Sequence, residues 1–369
     1  MHNYKDLYLA LEDGTVFRGK SFGYETAVAG EVVFNTAMVG YPESLTDPSY
    51  KGQLLALTFP LAGNYGVPDN VFDNSFGNPL SKFYESEKIQ VSGLIVSDFS
   101  FRYNHWNAVK GLDQWLKAEK IPAIFGIDTR ELTKIVREKG VMKGKLVFTD
   151  GEDIAFINPD EENQVAKASC TEVIRYGSGR YKIVLLDCGV KHNIIRCLLK
   201  RNVEVIRVPW NYDFNALDFD GLFISNGPGD PAWCSETVAN IRKFMATGKP
   251  IFGICMGNQL LSIAGGAKTY KLKYGHRSHN QPVQLAGTKR AFITSQNHGF
   301  AVDNSTLGAE WQPLFVNMND GTNEGIRHTT KPYFSAQFHP EASSGPTDTE
   351  FLFDIFINTI ENGCLNFDF

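Results

Sequence analysis

One of the six cysteines stands where a thiol could be made reactive. Gly253-Ile254-Cys255-Met256-Gly257-Asn258-Gln259 follows the apolar run Pro250–Ile254 and opens a helix-like stretch, Gln259–Ala264. A nucleophile on a tight strand-to-helix turn needs small neighbours, because the two backbones come close there. Gly253 and Gly257 meet that need. An ordinary thiol, with a pKa near 8.5, is only about 3% thiolate at pH 7. A helix N-terminus and an imidazolium both favour the anion, and the turn aims the Met256 backbone N–H at any oxyanion formed on the attacked carbon. The matching base is His339, in Phe338-His339-Pro340-Glu341 after the strand-like Tyr333–Gln337. Pro340 biases His339 toward extended backbone. Residues two apart then share a side, so Glu341 can orient the ring and stabilise its charged form. A lone histidine is more often a core or loop residue; the nearby carboxylate and the thiol turn favour catalysis. Four residues separate Cys255 from Gln259, placing both on one helix face. Two further segments, Ser225–Pro231 and Ile293–Phe300, end strand-like runs with glycines, an amide and an aromatic ring.

The elements that must hold these residues are legible from Tyr181 onward. Lys182–Asp187 is a continuous apolar run, as expected of a strand buried on both faces. A helix at Asn193–Arg201 and strands at Val203–Val208 and Gly221–Ser225 follow, then a helix at about Glu236–Thr247 and the strand Pro250–Ile254. This alternation predicts an α/β fold, a mostly parallel sheet flanked by helices, with chemistry at the carboxyl ends of its strands. The first part, 1–150, reads as an α+β domain. It has a hairpin at Leu7–Phe17 and strands at Glu31–Asn35 and Gln53–Thr58. Helices are expected at His105–Lys120 and from Asp128, where Asp128 and Glu131 form a capping box. Between the domains 1–150 and 181–369, polar and glycine-rich residues 151–180 read as a linker.

Composition narrows the classes. The 369 residues suggest two domains. Lys plus Arg is 36 against 41 Asp plus Glu, a net charge of −5, which disfavours a nucleic-acid partner. No run approaches the roughly 18–20 apolar residues of a membrane span. The N-terminus lacks a secretory pattern, so a cytoplasmic location is expected. No Cys/His spacing suggests zinc, and no metal site is expected. The cysteines Cys170, Cys188, Cys197, Cys234, Cys255 and Cys364 read as thiols rather than disulfides. Cys188, Cys197, Cys364 and, more weakly, Cys234 read as buried fillers.

Four segments in this order, Asn226–Pro231, Gly253–Gln259, Gln296–Phe300 and His339–Glu341, resemble a class I glutamine amidotransferase domain. Gly30–Thr36, Gly40-Tyr41-Pro42, Leu45–Tyr50, Gly63–Gly66 and Gly126–Arg130 resemble the small (glutamine-hydrolysing) subunit of carbamoyl-phosphate synthase. Together these cover nearly the whole chain. The resemblance implies a glutaminase with Cys255 as nucleophile, His339 as acid–base and Glu341 as the third triad member. It implies glutamine-binding positions at Ser49, Gly227, Gly229, Met256, Gln259, Asn297, Gly299 and Phe300; Ser49 is placed there by the resemblance alone. It also implies a large synthetase subunit as partner, which takes the ammonia and makes carbamoyl phosphate from bicarbonate and ATP. ATP and magnesium or other metal ions are expected only in that subunit. No cofactor is expected in this chain, which carries no Walker-type phosphate loop. Many relatives have His where Asn258 stands and Leu where Met256 stands; Asn258 is expected to support the pocket from behind. Three other readings remain at this point: an amidotransferase serving another synthase, a non-catalytic regulatory subunit, and a general thiol hydrolase.

Overall fold

The structure is a computed structural model that describes residues 4–148, 151 and 153–367. It divides into two compact units, Met1–Val71 with Ser81–Glu162, and Phe72–Leu80 with Asn163–Phe369.

In the first unit the strands close into a barrel in the order Asp6–Leu11, Met142–Phe148, Val28–Asn35, Gln53–Leu57, Gly93–Val96, Ala123–Phe125 and Val16–Ser21. Alternate residues point inward: Leu7, Leu9 and Leu11 are buried, whereas Asp6 is exposed. Closure removes the open edges that single hairpins would leave. The helix expected over His105–Lys120 is shorter. Ala108–Lys110 pairs as a strand with Val67–Pro68, and the helix runs Leu112–Ala118. The Val109 side chain is exposed rather than part of an apolar stripe. The next helix, Thr129–Lys139, forms one half of the expected capping box, Asp128 accepting from the Glu131 N–H at 2.9 Å. The Glu131 carboxylate accepts from Lys134.

The second unit is built on a ten-stranded sheet. Its order is Ile174–Tyr176, Val203–Pro209, Tyr181–Asp187, Gly221–Ile224, Ile251–Ile254, Tyr333–Ala336, Asn323–His328, Trp311–Asn317, Thr269–Leu285 and Ala291–Val302. The five strands from Val203–Pro209 through Tyr333–Ala336 are parallel to their neighbours. The strands beyond form an antiparallel extension. Ile183 and Leu185 face one core with helices His192–Leu199 and Phe351–Asn362. Val184 and Leu186 face the other, with Ser235–Met245 and Met256–Ala264. Helices thus cover both faces of the parallel part, which is why its strands are apolar throughout. Each fully buried Leu, Ile or Phe contributes about 1.5–3 kcal/mol.

The linker reading of 151–180 needs correction. Thr149, Asp150 and Glu152 lie outside the described residues. From Asn163 the segment belongs to the second unit, with a capped helical turn at Gln164–Ala168 and an edge strand, Ile174–Tyr176, paired antiparallel with Val205–Arg207. Its polar composition suits an edge strand, exposed along one side.

Candidate active site

Cys255 sits between the strand Ile251–Ile254 and the helix Met256–Ala264, as N-cap of that helix. Its backbone adopts φ 55 and ψ −102. This region is sparsely populated for a residue with a side chain and costs on the order of 1–3 kcal/mol. The surroundings impose it. The Cys255 N–H donates to the Ala336 carbonyl at 2.8 Å, and the Cys255 carbonyl accepts from Gln259 N–H at 3.2 Å. A Cβ on Gly253 would lie 2.5 Å from the Gly257 carbonyl oxygen; one on Gly257 would lie 2.2 Å from that of Ile224. Both glycines are therefore required by backbone contact. The thiol is 2% exposed, and its sulfur lies 3.7 Å from the Asn297 carbonyl.

His339 and Glu341 follow the adjacent strand, Tyr333–Ala336. The His339 N–H donates to the Ser295 carbonyl at 2.8 Å, and His339 Nδ1 pairs with Glu341 Oε1 at 2.7 Å. The same carboxylate oxygen accepts from Lys191 Nζ at 3.0 Å. All three side chains are buried. Burial alone would favour the neutral ring, and Lys191 pushes the same way. The Glu341 charge, aided by the Cys255 and Glu341 side-chain contacts, outweighs them and raises the His339 pKa above its ordinary value. Burial likewise disfavours the Glu341 carboxylate, yet the Lys191 and His339 charges hold its pKa below the ordinary range. Nε2 of His339, the nitrogen on the Cys255 side, has no hydrogen-bond partner in good geometry.

Lys191 escaped the sequence reading. It lies in the turn Cys188–Lys191 after the strand Tyr181–Asp187, and the rule that chemistry gathers at carboxyl ends of parallel strands was its only signal. The turn is tightly built. Asp187, fully buried, accepts from the N–H groups of Gly189 and Val190 and from the Arg207 guanidinium at 2.7 Å. Lys191 N–H donates to Asn226 Oδ1 at 3.0 Å, and Asn193 Nδ2 donates to the Glu341 carbonyl.

The other expected residues divide by unit. A Cβ on Gly227 would lie 2.1 Å from the Cys188 carbonyl oxygen, and Gly229 has φ +79 beside Gln164, so both loop positions need glycine. Gln259 Nε2 donates to the Phe300 carbonyl at 3.0 Å, linking the helix of Cys255 to the segment of Asn297, Gly299 and Phe300. Met256 is the first residue of that helix, and its side chain is buried in the core. Ser49 belongs to the first unit, where it is buried and its N–H donates to Asp47 Oδ1 at 2.9 Å. Asn258 is fully buried. It donates to Gln337 Oε1 at 2.8 Å and accepts from Ser335 Oγ at 2.7 Å, tying the helix to the His339 strand.

The remaining thiols differ. Burial pushes Cys170, Cys197 and Cys234 up to about 12 and Cys188 well above its ordinary value. Cys364 is exposed, contrary to its reading as a buried filler, because it follows the end of the last helix, Phe351–Asn362.

The chain is thus an α/β protein with a cysteine on a strained strand-to-helix turn and a charge-paired histidine just after the next parallel strand. Two family models match the chain in tandem: "Carbamoyl-phosphate synthase small chain, CPSase domain" over residues 9–146 and "Glutamine amidotransferase class-I" over residues 184–359. The chain belongs to the carbamoyl-phosphate synthase small-chain family, with a class I glutamine amidotransferase domain as its second part. It is 52% identical over 359 residues to the mitochondrial, ammonia-type carbamoyl-phosphate synthase of Homo sapiens, covering 96% of this chain and 24% of that protein. It is 52% identical over 354 residues to the multifunctional protein CAD of Squalus acanthias, covering 95% and 16%. It is 48% identical over 387 residues to the multifunctional protein URA2 of Saccharomyces cerevisiae, covering 96% and 17%. The chain spans about a quarter or less of the length of these relatives. Among the described residues, no helix is long and apolar enough to cross a membrane.

Proposed function

We propose that this chain hydrolyses glutamine to glutamate and ammonia as the glutaminase part of a carbamoyl-phosphate synthase. The observation that carries this reading is the buried series Lys191–Glu341–His339 beside the strained Cys255 turn. A raised His339 pKa favours an imidazolium beside a thiolate, the form ready to attack. Cys255 Sγ adds to the side-chain amide carbon of glutamine, and the oxyanion is met by the N–H groups of Met256 and the Gly227 loop. Losing one such donor costs about 10²–10³ in rate. His339 gives its proton to the departing nitrogen, ammonia leaves, and a glutamyl thioester remains. Water then adds, His339 takes its proton, and glutamate departs as the thiol is restored. Glu341 holds the imidazole in one tautomer and Lys191 holds Glu341. Gly227, Gly229, Gln259, Asn297, Gly299 and Phe300 are the positions for the substrate.

The partner in this reading is a large synthetase subunit or domain that consumes the ammonia with bicarbonate and ATP. ATP and its metal ions belong to the partner, and this chain needs no cofactor. A cytoplasmic location is part of the same proposal. Relatives include mitochondrial proteins by name, so cell fractionation decides it. The test of catalysis is ammonia release from glutamine with the synthetase partner present. Cys255→Ser lowers it by about 10³-fold or more, and mass spectrometry finds the thioester on Cys255 in the parent chain. Equal rates for parent and variant overturn the assignment.

A further inference from the structure

The antiparallel extension of the second unit gathers His276, His298 and Glu324, all buried, with one ligand atom from each within 4.8 Å of the others. They come from three strands: Thr269–Leu285, Ala291–Val302 and Asn323–His328. The hydrogen bonds around them settle which nitrogens carry protons. His298 Nδ1 lies 2.9 Å from the Phe300 carbonyl, which can only accept, so Nδ1 carries the proton and Nε2 a lone pair. His276 Nε2 lies 2.9 Å from Asp320 Oδ2. In the neutral ring Nε2 therefore donates, and Nδ1 carries the lone pair. That lone pair lies 3.3 Å from Glu324 Oε1, and His298 Nε2 lies 3.8 Å from the same carboxylate. Gln296 Oε1 lies a further 3.3 Å from His298 Nε2, with the Gln296 amide nitrogen donating to Thr294 Oγ1.

With both rings neutral, the lone pairs of His276 Nδ1 and His298 Nε2 thus converge on the Glu324 carboxylate. The neighbouring donor is Asn317 Nδ2, which reaches Glu324 Oε1 at 2.9 Å and His276 Nδ1 at 3.5 Å. The other Glu324 oxygen, Oε2, is buried and has no hydrogen-bond partner. Inward lone pairs around an unpartnered buried carboxylate oxygen are costly without a positive charge among them.

We propose that His276 Nδ1, His298 Nε2 and the Glu324 carboxylate bind a divalent transition-metal ion, zinc by ligand type. Two imidazoles and one carboxylate are a zinc-type donor set with room for a further ligand. Each ligand already has the outer partner that such sites use to fix orientation: Asp320 for His276, the Phe300 carbonyl for His298 and Asn317 for Glu324. The ion ties three strands together. Because His298 stands between Asn297 and Gly299, it anchors the segment whose Asn297 carbonyl faces the Cys255 sulfur. Along the sequence the ligands are 22 and 26 residues apart, outside any local zinc pattern, so only the fold assembles them.

The test uses the untagged full chain, stripped with chelator and reloaded with zinc chloride. Elemental analysis after gel filtration gives one zinc per chain, the melting temperature rises with zinc concentration, and cobalt substitution yields the visible bands of a low-coordinate nitrogen–oxygen site. Glu324→Gln and His298→Gln lose the zinc. Asp320→Asn, at a half-exposed carboxylate, keeps the metal-free melting temperature and binds zinc about 10- to 100-fold more weakly. A parent chain that retains no zinc overturns the site. So does a folded Glu324→Gln that retains it, or a parent whose nitrogen NMR signals show His276 as an imidazolium bonded to both carboxylates with zinc present.

Discussion

At the carboxyl edge of the parallel strands, one oxygen of Glu341 receives two donors that can both be cationic, Lys191 and His339. On the antiparallel extension of the same sheet, Glu324 receives a neutral amide from Asn317 and faces the nitrogens of two histidines. Both carboxylates are fully buried. The first has its charge compensated by the chain itself. This favours the charged form of the imidazole. The second is arranged to receive charge from outside the chain. Burial disfavours ionisation at both; what differs is the partner. Glu341 is driven below its ordinary pKa by Lys191 and His339, whereas Glu324 stays above its own because burial outweighs its histidine and amide contacts.

The contrast can be broken most sharply through His339. His339→Asn removes the proton-transfer group and lowers glutamine hydrolysis by about 10²- to 10⁴-fold, measured as steady-state ammonia release with the partner. The parent chain stripped of metal keeps His339 and Glu341 and should lose far less activity. Next in size is Lys191→Met. It leaves the Glu341 charge buried with only the imidazole, at a cost of about 3–5 kcal/mol, read from urea unfolding. Asp320→Asn in chelator costs under about 1 kcal/mol, because that carboxylate is 42% exposed. Equal costs would show that the two groups are balanced alike.

The smallest effect is on pH dependence. Glu341 has a lowered folded pKa, so its contribution to stability is present above the unfolded value and lost as pH falls through the folded one. His339 has a raised folded pKa, so its contribution is present below the unfolded value and lost as pH rises through the folded one. The pair is therefore fully stabilising between about pH 4.3 and 6.5, the ordinary Glu and His values. The urea midpoint of the parent minus that of Glu341→Gln/His339→Asn should be largest in this window and shrink on both sides.

The site was legible wherever chemistry and local backbone coincide. Gly253 and Gly257 mark a turn that only glycine permits, and Pro340 with Glu341 marks a held histidine; each signal spans fewer than eight residues. The parallel strands were legible because burial on both faces leaves them apolar throughout. Lys191 was not, since nothing in Cys188–Lys191 distinguishes a buried lysine from a solvated one until the fold places Glu341 against it. The helix at His105–Lys120 was misread because Val109 fits an apolar spacing yet stands exposed on a short paired strand.

What the sequence by itself determined is the glycine-flanked cysteine turn, the histidine–carboxylate pair, the alternating strands and helices and the family resemblance, because these rest on steric and hydrophobic rules acting between near neighbours. Only the tertiary structure decided that the first strands close into a barrel and that the polar segment after Asn163 supplies an edge strand. It also decided that Lys191 neutralises Glu341 and that His276, His298 and Glu324 meet. Each of these depends on a pairing between residues far apart in the chain, which local spacing does not encode.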